Sequence, residues 1–170
     1  MNELVKLAND KMNARAIEIS RDLSKRVGAS YAELASKGQL KSGSALLRVA
    51  DDCAQAYDEM VVCINAEISW IFEHALYVTE TSALSLTEMG LGHIRQIESV
   101  VLPQIDRISQ TAQGGAEAQH AIRMQAHGKK EESEEAIRFF VRQRRIEKPR
   151  GLLRAILRPL FSLLTRQKSS

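Results

Sequence analysis

From Val5 onward, Ala8, Met12, Ala16, Ile19, Leu23, Val27, Ser30 and Leu34 follow one another at steps of three or four residues. That spacing puts a nearly unbroken apolar stripe on one face and predicts a first helix over about residues 3–36, on the order of 50 Å long, with Gly28 as a weak point. Residues 37–43 read as a loop, with Ser42 or Ser44 placed to cap a second helix. The stripe of this second helix is Leu46, Ala50, Cys53, Tyr57, Met60, Ile64, Ile68, Ile71, Ala75 and Val78. Val61, Val62, Trp70 and Phe72 lie off it, so the middle of this helix is apolar on more than one face. It belongs at the centre of a bundle or at a subunit interface.

Ser85-Leu-Thr-Glu88 has the form of a capping box and predicts the start of a third helix there. Its stripe is Leu91, Ile94, Ile97, Val101, Ile105, Ile108 and Ala112, and Pro103 should kink it near Ser99. Gly114-Gly115 should end it. Residues 116–127 are weakly periodic, and Gly128-Lys-Lys predicts a break. Glu131, Glu132, Glu134 and Glu135 would then open a further helix, where negative charge suits the helix dipole, with Glu134 to Arg138 as an i,i+4 pair.

Beyond Lys148-Pro149-Arg150-Gly151 the pattern changes character. On a wheel of 100° per residue, Arg150, Arg154, Arg158, Ser162, Thr165 and Arg166 occupy one flank. Leu152, Leu153, Ile156, Leu157, Pro159, Leu160, Leu163 and Leu164 occupy the other, and of the large apolar side chains Phe161 alone intrudes on the polar side. This describes a short basic amphipathic helix, bent or divided at Pro159. The fold class expected is all-α: an antiparallel bundle of about four long helices plus this C-terminal element. With 12 Gly and Pro and 8 aromatics among 170 residues, sandwiches, barrels and low-complexity chains are disfavoured, and a chain this long can bury about 70% of its unfolded surface.

Charge divides the chain more sharply than its formal total of +3 suggests. Residues 1–135 carry 14 Lys and Arg against 20 Asp and Glu, whereas residues 136–170 carry 10 against the single Glu147. An acidic body, residues 1–135, thus precedes a basic extension, residues 136–170. Such asymmetry marks an arm that meets an anionic partner. The opening Met1-Asn-Glu-Leu-Val-Lys lacks the basic and apolar regions of a secretory signal, which predicts a cytoplasmic protein. Cys53 and Cys63 lie about 15 Å apart along one helix, too far for a disulfide, so two reduced thiols are expected. Neither apolar stretch, residues 60–78 with Glu67 and Glu73 or residues 152–164 with two Arg, is suited to span a bilayer.

Signatures of catalysis are lacking: there is no nucleophile elbow, phosphate loop, dinucleotide fingerprint or paired Cys motif. Glu117-Ala-Gln-His120, with His127 and Glu131 beyond it, supplies one Glu-x-x-His motif where carboxylate-bridged metal bundles need two. The motif therefore reads as exposed polar residues in preference to a metal site. His74 and His93 read as satisfied or solvent-facing histidines, and Lys41-Ser-Gly-Ser44 as a loop and cap in preference to a Ser/Lys nucleophile. No cofactor is expected and the chain reads as non-enzymatic.

Four roles are open to the tail: closing the bundle's own groove, lying on an anionic membrane surface, docking into a groove on a partner protein, or binding nucleic acid. The last uses Arg142, Arg144, Arg145, Lys148 and Arg150 on phosphates but leaves the leucines idle, and no aromatic residues are interleaved for stacking. The reading adopted is an interaction or regulatory protein that self-associates or binds a protein partner and is docked to an anionic membrane by its tail; the alternatives are a nucleic-acid accessory protein using the arginine cluster and a self-contained bundle acting as a small regulator or inhibitor with the tail packed internally. Arg142, Arg144, Arg145, Lys148, Arg150, Arg154 and Arg158 would capture the surface, and Leu152, Leu153, Ile156, Leu157, Leu160, Phe161, Leu163 and Leu164 would insert.

Overall fold

A computed structural model of the chain describes the backbone of residues 2–111 and 115–167 and the side chains of residues 2–111 and 117–148. Four helices follow in order: α1 (Asn2–Ser36), α2 (Gly43–His74), α3 (Glu80–Thr111) and α4 (Gly115–Gln167). The protein is an all-α bundle. In α1 the buried residues are the eight of the sequence stripe from Ala8 to Leu34. The stripe of α3 is likewise buried from Leu91 to Ile108, and Ala112 lies outside the described residues. A helix that packs one face must repeat its apolar positions near every 3.6 residues, and here the converse holds too.

Helix ends follow local chemistry. Gly38, at φ +66°, closes α1: its amide donates to the Ala35 carbonyl (3.0 Å) while the Gln39 amide donates to Leu34 (2.8 Å). Those paired bonds are the glycine-terminated helix stop that only a residue free of a Cβ adopts without strain. Ser42 occupies the cap position of α2, but its hydroxyl does not cap the helix; it donates to the Gln39 carbonyl (2.6 Å), which closes the turn, and lies 2.6 Å from the Ser44 hydroxyl. α3 begins earlier than the Ser85 box predicts. The Thr79 hydroxyl accepts from the Ser82 amide (3.0 Å), and the Ala83 amide donates to the Thr79 carbonyl (2.9 Å). Starting there lets Ala83 and Leu86 enter the core. α3 runs on through Pro103.

The break expected at Gly128 does not occur, and α4 is helical across it. Lys129 reaches Asp58 on α2 (2.8 Å) and Lys130 reaches Glu98 on α3 (2.8 Å), so the two lysines straddle α4 and tie it to both neighbours. Glycine costs about 1 kcal/mol in a helix interior, which tertiary contacts on both sides can offset. The acidic run therefore lies within a helix instead of opening one: Glu131 pairs with His127 (3.3 Å), Glu132 with Lys129 (3.2 Å) and Glu134 with Arg138 (2.8 Å).

The short connections 37–42 and 75–79 make consecutive helices antiparallel. Neighbours across the bundle follow another rule. Among the described residues α1 packs on α2 and α3 and not on α4, while α4 packs on α2 and α3. Asn9 meets His93 and Tyr31 meets Arg107, so α1 and α3 run parallel. Lys129 meets Asp58 and Arg144 meets Ser69, so α2 and α4 do as well. α2 and α3 face each other across the short diagonal, made possible by Gly90, where an added Cβ would stand 3.0 Å from methyls of both Ile64 and Ile137. The off-stripe positions of α2 reflect this central place: Phe72 is buried, Val61 and Trp70 half-buried, and only Val62 exposed.

One buried histidine couples the bundle to pH. His93 sits between α1 and α3, with Nε2 3.1 Å from Asn9 Oδ1 and Nδ1 3.3 Å from Gln96 Oε1. Burial pulls its pKa below the ordinary histidine value, against the opposing pull of the Gln96 bond. A neutral ring donates once, so one amide must turn its nitrogen toward the other ring atom. The folded state thus binds the proton less readily than the unfolded chain. Stability is full above the unfolded value, near 6.5, and falls as the pH drops from there through the lower folded value. We expect the urea midpoint to fall between pH 7.5 and 5, and His93→Gln to remove part of that slope. An unchanged slope in the variant would assign the acid sensitivity elsewhere.

Candidate functional site

The basic stretch of α4 leads into the end of the bundle formed by the start of α1, the end of α2, the 75–79 connection and the start of α3. Ile137 and Val141 are buried in the core and Phe140 is packed against it, so α4 reaches this end with its inner face fixed. Of the basic residues expected to capture an anionic partner, three are turned to the bundle. The Arg144 guanidinium donates to the Ser69 hydroxyl (2.9 Å), lies 3.8 Å from Glu147 and stacks over the Phe140 ring (5.3 Å). Arg145 pairs with Glu80 at the start of α3 (3.1 Å). Lys148 directs its ammonium at the carbonyl oxygens of Phe72 and Ala75.

That last contact has a clear electrostatic cause. The final carbonyls of a helix lack intrahelical donors and concentrate the negative end of its dipole, so a cation is favoured there. Ala75 satisfies Ile71 through its amide (2.8 Å), His74 Nδ1 meets the Trp70 carbonyl (2.8 Å), and Lys148 takes the carbonyls of Phe72 and Ala75. Partial burial lowers the Lys148 pKa from its ordinary value. Arg142, by contrast, is exposed and makes no ion pair among the described residues.

Arg150, Leu152, Leu153, Arg154, Ile156, Leu157, Arg158, Leu160, Phe161, Leu163 and Leu164 have side chains outside the described residues, and so does the amphipathic face they form in sequence. The chain matches no family model, no curated protein and no solved structure.

Two features of this end escape a charge-and-stripe reading. Between Ala75 and the half-buried Val78, the connection holds out Leu76 and Tyr77, which are 91% and 74% exposed. A pair of large apolar residues where a helix connection ordinarily carries polar ones is the signal that could have found them. On the outward side of α4, Phe139 and Ile146 are also exposed, at 69% and 54%.

Elsewhere the chemistry is quiet. Among the described residues no group of three or more His, Cys, Asp or Glu is placed to hold a metal, and no helix is long and apolar enough to cross a membrane. The buried Cys53 thiol is pushed up to about 12, chiefly by desolvation, which suppresses the reactive thiolate; Cys63 is raised for the same reason. An open cleft of about 390 Å³ between α3 and α4 is lined in part by Tyr57, Glu98, Asp106, Arg123 and His127. Its charges are taken up by the Arg123–Asp106 (2.6 Å) and Lys130–Glu98 (2.8 Å) pairs.

Proposed function

We propose that this protein is a non-catalytic interaction or regulatory protein that self-associates or binds a protein partner. Its basic amphipathic C-terminal segment docks it to an anionic membrane surface. The observation that carries the reading is the division of residues 150–166 into an arginine flank and a leucine flank. Two structural facts support it. Among the described residues, the core drawn from Ala8 to Val141 already uses all four helices. Phe139 and Ile146, exposed on α4, fall seven residues apart and in the same sector of the 100° wheel as Leu153, Leu157 and Leu164. The apolar strip thus begins upstream of the tail.

Capture would rely on Arg142 and the arginines from Arg150 onward, because Arg144, Arg145 and Lys148 are engaged within the bundle. Each basic residue near an anionic bilayer adds about 1 kcal/mol, and the leucines add an apolar component that salt does not screen. The same engagement weakens the rival nucleic-acid reading, which needs those three cations on phosphates.

Sedimentation with phosphatidylserine-containing vesicles tests the proposal. The full chain should bind, a chain ending at Lys148 should not, and Leu160→Ser should weaken binding at high salt. A shortened chain that binds as well as the full one would overturn the reading. Binding to duplex DNA that falls log-linearly with salt and ignores Leu160→Ser would favour the phosphate alternative.

A further inference from the structure

We infer that the tip of the α2–α3 connection, Leu76 and Tyr77, is a second lipid-contact element that enters the same anionic bilayer as the tail; this rests on the membrane reading above. The tip is built to present these two side chains. Ala75 is buried and Val78 packs on the core, so the connection is held down on both sides while the residues between them face outward. Leaving a Leu and a Tyr largely in water forgoes the burial that the flanking Ala75 and Val78 obtain, and side chains of this kind are well suited to a bilayer interface. Leucine enters the acyl boundary, and tyrosine keeps its hydroxyl at headgroup level while its ring is buried.

What identifies the occupant is where the tail begins. Lys148, the last described side chain before the amphipathic segment, points its ammonium at the carbonyl of Ala75, the residue next to Leu76. Arg145 to Glu80 and Arg144 to Ser69 hold α4 to the same end on either side of the connection. The root of the tail and the tip are therefore fixed together, and a surface reached by one lies within reach of the other. Local charge does not oppose the approach strongly: Glu80 is paired with Arg145 and Glu147 lies beside Arg144, while Glu73 stays exposed near the tip. The tip thus adds a second point of insertion to the tail's leucines, and the tail's arginines supply the charge.

The test uses the full chain and vesicles of phosphatidylcholine with one-quarter phosphatidylserine. The double variant Leu76→Ser with Tyr77→Ser should keep the wild-type circular dichroism and urea midpoint, because neither side chain is buried, and should lose affinity by about ten-fold. In a Trp70→Phe background, Leu76→Trp should shift its emission to the blue on vesicles and be quenched by brominated lipid. Undiminished affinity of the double variant, or an unshifted emission while the protein is bound, overturns the inference and leaves the tail reading standing. Absence of vesicle binding by the wild-type chain overturns both. A concentration-dependent dimer that the double variant dissolves shows that a second copy covers the tip and likewise overturns the inference.

Discussion

A chain ending at Lys148 should fold as the full protein does, whereas a chain ending at Glu135 should lose its cooperative transition. Residues 136–148 are counted with the basic extension by charge, yet they complete the core. Ile137 is fully buried and Val141 nearly so, and the Ile137 methyl lies against Gly90 at the meeting of α2, α3 and α4. Burying such side chains stabilises by about 1.5–3 kcal/mol each, and a void left behind adds to the loss. The shorter chain also gives up the Arg144–Ser69 bond, the Arg145–Glu80 pair and the Lys148 cap on α2. A combined loss on the order of 5 kcal/mol or more stands against a total stability of about 5–15 kcal/mol for a domain. Urea titrations of the two shortened chains would decide it. A chain ending at Glu135 with the full-length midpoint would show that α4 beyond the acidic run packs only loosely.

The contrast between charge and packing illustrates what this sequence discloses. Buried stripes are legible because one-sided packing imposes a helical period, which is why positions from Ala8 to Leu34 and from Leu91 to Ile108 could be read directly. The period states that a face is apolar without stating what it meets, so the parallel pairing of α2 with α4 and of α1 with α3 was not visible. Local signals also misled where tertiary contacts outweigh them. Gly128 looks like a stop until Lys129 and Lys130 find Asp58 and Glu98, and the Ser85 box gives way to Thr79 because Ala83 and Leu86 gain burial. In the same way Lys148 reads as a phosphate ligand by composition and serves as the cap of a helix by position. A charge count carries no partner. Leu76 and Tyr77, finally, are legible in the sequence as a large apolar pair, but only the burial of Ala75 and the packing of Val78 show that the connection holds them outward.

Gly90→Leu should lower stability by about 3 kcal/mol, whereas Gly92→Ala, two residues away, should raise it by up to about 1 kcal/mol. Both glycines lie inside α3, and both forgo the helix propensity of a larger residue. Their surroundings differ in kind. At Gly92 a Cβ would meet nothing within 4 Å, so alanine gains propensity at no steric cost. At Gly90 it would stand 3.0 Å from Ile64 on one side and 3.0 Å from Ile137 on the other, and both isoleucines are fully buried, where interiors are close-packed. Leucine would wedge three helices apart along the diagonal that joins α2 to α3. Strain there should also spread to the α4 contacts, loosening Lys130 from Glu98 and Lys129 from Asp58, and hydrogen exchange should report faster opening in the middle of α4. Thermal and urea denaturation of the two variants measure the difference directly. Equal stabilities would mean that the close approach of α2, α3 and α4 at Gly90 is not what sets the geometry of this bundle.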